Sequence, residues 1–207
     1  MRACTAVHVA INSLASYDVP RTRLLRELAS HGVPMGQVHV FLGGAGKEGE
    51  SAEEGRYADP TSGAWFYRVP HNSVDFTTMV HLAENPQLFP TMKQFFYLHD
   101  TSSVGPGFWP NATHWCKSGL PACALPLTRY LPTSSMGLYD AKFIWDHASD
   151  VAVLKNSRGA TGMRWKIRGV GWEDKMFKVC DANSADKPIR RFTRQCYNKV
   201  RARACSR

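Results

Sequence analysis

Short apolar runs that end abruptly at polar or turn-forming residues recur along the first hundred positions of the chain. Four of them have the length and the boundaries of buried strands, at residues 7–11, 37–42, 64–69 and 95–99. Residues 21–29 place apolar side chains at helical spacing with a basic outer face, and Gly32 and Pro34 end this helix. A second helix is predicted over 76–84, with Ser73 or Asp75 as its N-cap.

The order of these elements, strand–helix–strand–strand–helix–strand, predicts an α/β fold with a mostly parallel central sheet flanked by helices. The length of 207 residues suits a single domain, which we expect to span 1–207, with 187–207 as a basic C-terminal extension. After residue 108 the pattern loosens into four segments: an excursion over 109–133, a short strand or turn over 134–139, a helix over 140–154 and an alternating stretch over 163–168.

The net charge of +9 is unevenly distributed. Residues 151–207 carry fifteen basic and four acidic side chains, whereas residues 1–150 carry eleven basic and thirteen acidic ones. A basic C-terminal part attracts anions such as phosphates, nucleotides, acidic glycans or nucleic acid, and the alternative is a solvated basic tail.

Six scattered cysteines form no C-x-x-C pair, which argues against a zinc knuckle. Cys116 and Cys123 flank a loop short enough to be closed by a disulfide, but without a visible secretion signal free thiols are favoured. No apolar run approaches the roughly 18 residues that span a bilayer. We therefore expect a cytoplasmic protein with no transmembrane segment.

Acidic residues end apolar elements at two places, at Asp100 and at the pair Glu173 and Asp174. Ligands of open α/β sheets bind just beyond the carboxyl ends of strands, where Asp100 is expected, and this position at a strand end predicts little packing cost for its loss. Asp100 could bind a metal or ligand, or simply cap a turn. Glu173 and Asp174 could supply a general base, or could favour the first turn of a helix.

Four motifs in order carry a resemblance to a known family. They are Asn12 at the end of the first strand, Tyr-Leu-His-Asp-Thr at 97–101, Met-Gly-Leu-Tyr at 136–139 and Gly-Trp-Glu-Asp at 171–174. Over most of residues 6–180 the chain resembles the GT-A class of nucleotide-sugar glycosyltransferases, particularly the small ones encoded by large algal viruses. The resemblance implies a GT-A-like, Rossmann-like fold and a glycosyltransferase activity.

The resemblance also implies roles for individual residues. Asp100 would bind manganese or magnesium together with the diphosphate of a nucleoside-diphosphate sugar, and Asp174, beside Glu173, would be the catalytic base across the same cleft. The residues that would face the nucleotide are Asn12, Ser13, Asn72, Asp75 and His99. One departure is clear: Leu98 stands where the motif has its first carboxylate, so Asp100 is alone, with His99 as a weak substitute.

The expected reaction moves a sugar from the nucleotide-sugar donor to a hydroxyl of a glycan or glycoprotein acceptor, with no nucleic acid as partner. Two alternatives remain open. One is a nucleic-acid-binding module that uses the basic C-terminal face, with stacking groups at Trp165, Trp172, Phe177 and Phe192. The other is a degenerate transferase that acts as a glycan-binding domain, which the missing second carboxylate would explain.

Overall fold

The computed structural model describes residues 7–110, 112–113, 124–126 and 137–155. In this part of the chain the strands are β1 Val7–Leu14, β2 Val38–Gly43, β3 Arg56–Ala58, β4 Trp65–Val69, β5 Gln94–His99, β6 Ala124–Pro126 and β7 Gly137–Asp140. The helices with both ends described are α1 Asp18–Ser30, α2 Thr77–Glu84, α3 Ala141–Asp146 and α4 Ala148–Ala152, and residues 108–110 and 112–113 are also helical. Three-residue 3-10 helices occur at Met35–Gln37, Val74–Phe76 and Pro86–Leu88.

The strands of the described residues form one mixed sheet in the order β3-β4-β2-β1-β5-β7-β6. Its four middle strands, β4, β2, β1 and β5, run parallel, and the outer pairings are antiparallel. The prediction of an α/β fold with parallel central strands is confirmed. β2 and then β4 lie on one side of β1, whereas β5 pairs with its other side. The strand order therefore reverses between β1 and β5.

The two main helices lie on opposite faces of this sheet. Neighbouring strand residues point to opposite faces, and in β1 Ser13 contacts Arg21 of α1 whereas Asn12 contacts Thr78 of α2. Every residue of β2 and all but the last of β1 are buried, which is why both strands read as apolar runs. These central strands are therefore buried on both faces of the sheet. The polar side chains of the candidate site lie at the carboxyl ends of the strands.

The structure corrects several local predictions. β1 extends to Leu14, so Asn12 and Ser13 lie within the strand rather than in the following loop. The second helix starts with a 3-10 turn, and neither Ser73 nor Asp75 caps it by a side-chain hydrogen bond; instead the Ser73 amide donates to the Thr77 hydroxyl.

Two more predictions concern the second half of the chain. The helix predicted over 140–154 divides at His147 into α3 and α4. The short strand predicted within 134–139 is present as β7. The segments 163–168 and 187–207, and the cysteines Cys116 and Cys123, lie outside the described residues.

Histidines and aromatic rings fill the α2 face of the core. His39 Nε2 lies 2.8 Å from His8 Nδ1, and His39 Nδ1 lies 2.9 Å from the Tyr67 hydroxyl. Burial lowers the pKa of His71 and of His81 to about 4, and it lowers the pKa of His39 well below its ordinary value. These rings are therefore neutral in the folded protein at neutral pH.

Acid should destabilise the fold through these histidines. The unfolded chain binds a proton at each site near pH 6.5 and the folded protein only near pH 4, so stability falls as the pH drops through that window. Each site adds a slope of about 1.4 kcal/mol per pH unit. Urea unfolding at pH 7.5 and at pH 5 measures the loss. His81→Gln should reduce the slope, and equal stability at both pH values would contradict the assignment.

Candidate functional site

Polar side chains gather where the strand order reverses, at the carboxyl ends of β1 and β5. Such a reversal of strand order is called a switch point, and in open α/β sheets ligands usually bind at it. The two strand ends are joined directly, since the Asp100 amide donates to the Asn12 carbonyl oxygen over 3.1 Å. Asn12 and Ser13 come from β1, and His99 and Asp100 from the end of β5 and the position after it. Four of the sequence-predicted site residues therefore meet at one point.

Asp100 belongs to a hydrogen-bonded cluster on the α1 face. The Ser13 hydroxyl donates to Asp100 Oδ2 over 2.7 Å, and Arg21 Nη1 donates to Ser13 Oγ over 3.2 Å and to the Leu14 carbonyl oxygen over 2.9 Å. Arg21 also pairs with the exposed Asp18 in the first turn of α1. Asp100 and Arg21 are only 4% and 7% exposed, so this cluster is part of the interior. We call Ser13, Arg21 and Asp100 the acid cluster.

Burial raises the pKa of Asp100, because removal from water disfavours the carboxylate. The Ser13 hydroxyl, the Arg21 charge and the backbone amides of Thr101 and Leu14 act in the opposite direction. Each of these groups stabilises the ionised form. The carboxylate is thus held by groups of the protein itself.

Asn12 makes hydrogen bonds on the opposite face of the sheet, the face that packs against α2. Its Nδ2 donates to the Val74 carbonyl oxygen over 2.7 Å, and its Oδ1 accepts from the Thr78 amide and hydroxyl over 3.1 and 3.2 Å. The side-chain amide therefore ties the end of β1 to the loop that precedes α2. Within that loop Asn72 Oδ1 accepts from the Val74 amide over 2.9 Å.

Val74, in the same loop, has an unusual backbone conformation, with a φ angle of +50°. A β-branched residue is a genuine outlier in this region, because its Cβ crowds the backbone. Hydrogen bonds to both neighbouring side chains hold this Val74 conformation in place: Asn12 donates to the Val74 carbonyl oxygen, and Asn72 accepts from the Val74 amide. Strain of this kind persists only where the surroundings over-determine it, and it concentrates at ligand clamps and active sites.

Val74→Gly should relieve this strain. We expect the glycine variant to exceed Val74→Ala by about 1 kcal/mol in free energy of unfolding, since alanine keeps the Cβ. Both variants remove the same half-exposed side chain, so the comparison isolates the backbone. Urea unfolding monitored by tryptophan fluorescence gives the difference. An alanine variant as stable as the glycine variant would show that the loop is unstrained.

His99 and Asp75 form a second acid–base pair beside Asn12. His99 Nδ1 lies 3.8 Å from Asp75 Oδ1, and the Tyr97 hydroxyl donates to the Asp75 carbonyl oxygen. His99 is buried, whereas the Asp75 carboxylate is half exposed. Asn72 and Asp75 thus come close to the ends of β1 and β5 through the Val74 loop. The five residues predicted to face a nucleotide, together with Asp100, therefore lie near these strand ends, on both faces of the sheet.

The described residues do not by themselves fit a bound manganese or magnesium ion. Among them no group of three or more His, Cys, Asp or Glu side chains could hold a metal. Asp100, the predicted ligand, directs one carboxylate oxygen to the Ser13 hydroxyl and is almost fully buried. No chemical step is therefore assigned to a cation at this site. The predicted base, Asp174, and its neighbour Glu173 lie outside the described residues.

Sequence reasoning missed Arg21, which was read as part of a basic outer face. The available signal was its spacing, because positions 21, 24, 25 and 28 share one face of a helix and all four are buried. Val74 and Thr78 were also missed. Nothing local in the sequence marks them, since both act through Asn12, more than sixty positions away.

Comparisons with protein-family models, with curated proteins and with solved structures found no match for this chain. Among the described residues, the longest and most apolar helices still fall short of what a membrane span requires.

Proposed function

We propose that this protein is a glycosyltransferase that moves a sugar from a nucleoside-diphosphate sugar to a hydroxyl of a glycan or glycoprotein, on a GT-A-like fold. The observation that carries the proposal is the convergence of Asn12, Ser13, His99 and Asp100 at the switch point between β1 and β5. A strained loop beside them, held by Asn12, supports a ligand clamp at this position.

The proposed reaction breaks the bond between the anomeric carbon and the diphosphate oxygen and forms a bond from that carbon to the acceptor oxygen. Asp174 takes the acceptor's hydroxyl proton, and the nucleoside diphosphate leaves. The Asn12 contacts would fix the Val74 loop against the donor, and the acid cluster would fix the ends of β1 and β5. Because donor carbon and acceptor oxygen must be held in contact, this rigidity would serve the reaction.

A second candidate function is a glycan-binding domain without transferase activity. The engagement of Asp100 with Ser13, with no second carboxylate two positions before it, favours this reading. Such a domain would bind carbohydrate and show no response to nucleotide sugars, which separates the two functions.

Thermal unfolding with a panel of nucleoside diphosphates and nucleotide sugars tests the proposal. A ligand that binds the folded state raises the melting temperature by mass action, so at least one donor should produce a concentration-dependent shift. The panel is measured with and without manganese, and single-stranded RNA and DNA are included. A shift with nucleic acid alone, or no shift with any nucleotide, would contradict the proposal.

Two variants test whether the nucleotide-sugar donor binds near Asp100. Asp100→Asn keeps the shape of the side chain but removes its charge, and it should reduce the donor-induced shift, measured from the variant's own melting temperature without ligand. Asp146→Asn is the matched control, because this aspartate lies in an exposed pair with Lys142 on α3. An equal response in both variants would place the donor away from the switch point.

A further inference from the structure

A second concave site lies on the α1 face of the sheet, between α1 and the β3–β4 hairpin. Its volume is about 440 Å³, within the range of ordinary small-molecule sites. Twelve residues line it, from α1, from Met35 before β2 and from both arms and the turn of the hairpin. It adjoins the acid cluster through Arg21, which belongs to both, and its other lining residues have no role in the proposed donor site.

The floor of this pocket is aromatic. The rings of Tyr57 and Phe66 stack with their centroids 5.5 Å apart and their planes 28° apart. Phe66 is buried beneath, whereas Tyr57 is 41% exposed and presents a ring to solvent. Leu25 and Met35 complete an apolar surface. A flat, rigid ring of this kind contributes contact area at little entropic cost.

The rim of the pocket is polar and its charge is balanced. Asp18 neutralises Arg21, and Asp59 is held in place because its Oδ2 accepts from the amide and the hydroxyl of Ser62. Arg26 is exposed, and its guanidinium has no hydrogen bond or ion pair to the rest of the described chain. The rim therefore offers both acceptors, from carboxylates, and donors, from a free guanidinium and hydroxyl groups.

This combination selects a class of ligand. Because its two carboxylates and two guanidinium groups balance, the rim has no net positive charge to attract a polyanion such as a diphosphate. A wholly apolar ligand would leave the polar rim unpaired on desolvation. A sugar ring satisfies both parts, since its C–H face packs on an aromatic ring and each hydroxyl can donate and accept.

We propose that the pocket between α1 and the β3–β4 hairpin binds a sugar unit of a neutral glycan, with Tyr57 as its stacking platform. As a carbohydrate site the pocket stands independently of the donor site. Its assignment to the acceptor glycan rests on the proposed function. The site is then a specificity site for the acceptor, and Arg21 is the residue that it shares with the acid cluster.

Saturation-transfer NMR with the full chain tests the proposal, using cellobiose, lactose, maltose and N,N′-diacetylchitobiose as probes. At least one disaccharide should bind with a dissociation constant on the order of 1 mM. Tyr57→Ala should weaken that binding about tenfold, since a stacked aromatic contributes on this scale. Tyr17→Ala is the matched control, because Tyr17 is 45% exposed and does not line the pocket, and it should leave binding unchanged.

Arg26→Ala provides an independent variant on the exposed side of α1, where folding is not at risk, and it should also weaken binding. The proposal would be overturned if none of the four probes showed saturation transfer, or if wild type, Tyr57→Ala and Arg26→Ala bound equally.

The donor-induced thermal shift separates a failure of this site from a failure of the proposed transferase. Carbohydrate binding without any such shift keeps this site and rejects the transferase. A donor shift that survives in Tyr57→Ala together with lost disaccharide binding supports both.

Discussion

Replacing Asp100 with alanine should lower the free energy of unfolding by about 2–4 kcal/mol, a large fraction of the stability of a typical domain. The change removes the acceptor of the Ser13 hydroxyl and leaves the buried Arg21 without a neighbouring carboxylate on that side. Urea unfolding measures the loss. A position at a strand end suggested a small cost, but the carboxylate is buried and hydrogen-bonded, which reverses that expectation.

Two controls separate the acid cluster from a general effect of removing a carboxylate. Asp146→Ala breaks an exposed pair with Lys142 and should cost less than about 1 kcal/mol. The double variant Ser13→Ala with Asp100→Ala should cost less than the sum of the two single variants, because the partners are in contact. Strict additivity would show that Ser13 and Asp100 are not coupled, and an Asp100→Ala protein as stable as wild type would show that this carboxylate contributes nothing to the fold.

Asp174→Asn should lower turnover by about 100-fold or more, the usual contribution of a positioned general base. The asparagine keeps the size of the side chain and removes its basicity, so donor binding should change little. Steady-state rates with the donor identified by thermal shift give the turnover, and the shift itself reports donor binding.

Glu173→Gln is the matched control for this experiment, since it changes the adjacent carboxylate in the same way. Its effect on turnover should be mild. Full turnover in Asp174→Asn would remove this residue from the mechanism. Equal, severe losses in both variants would mean that the pair supports the local structure rather than the chemistry.

The parallel strands could be predicted because burial on both faces makes them continuous apolar runs. β3 was missed for the opposite reason: its three residues lie at the sheet edge, half-buried or exposed, and carry no apolar pattern. Asp100 was found from its place after an apolar run. Its partner Arg21 was not, since a lone arginine on an apolar stripe becomes significant only when the buried hydroxyl and carboxylate it faces are known.

The pairing of β1 has a consequence for the order of folding. β1, α1 and β2 are consecutive, so their contacts close short loops, whereas β1 pairs with β5 across the whole intervening chain, from Val7 to Gln94. Contacts between distant positions form late, because the loop between them must be ordered first. We therefore expect the β1–α1–β2 unit to form early and the Ser13–Asp100 hydrogen bond to appear only when β5 docks. A refolding chain would therefore acquire its candidate site only after this first unit has formed.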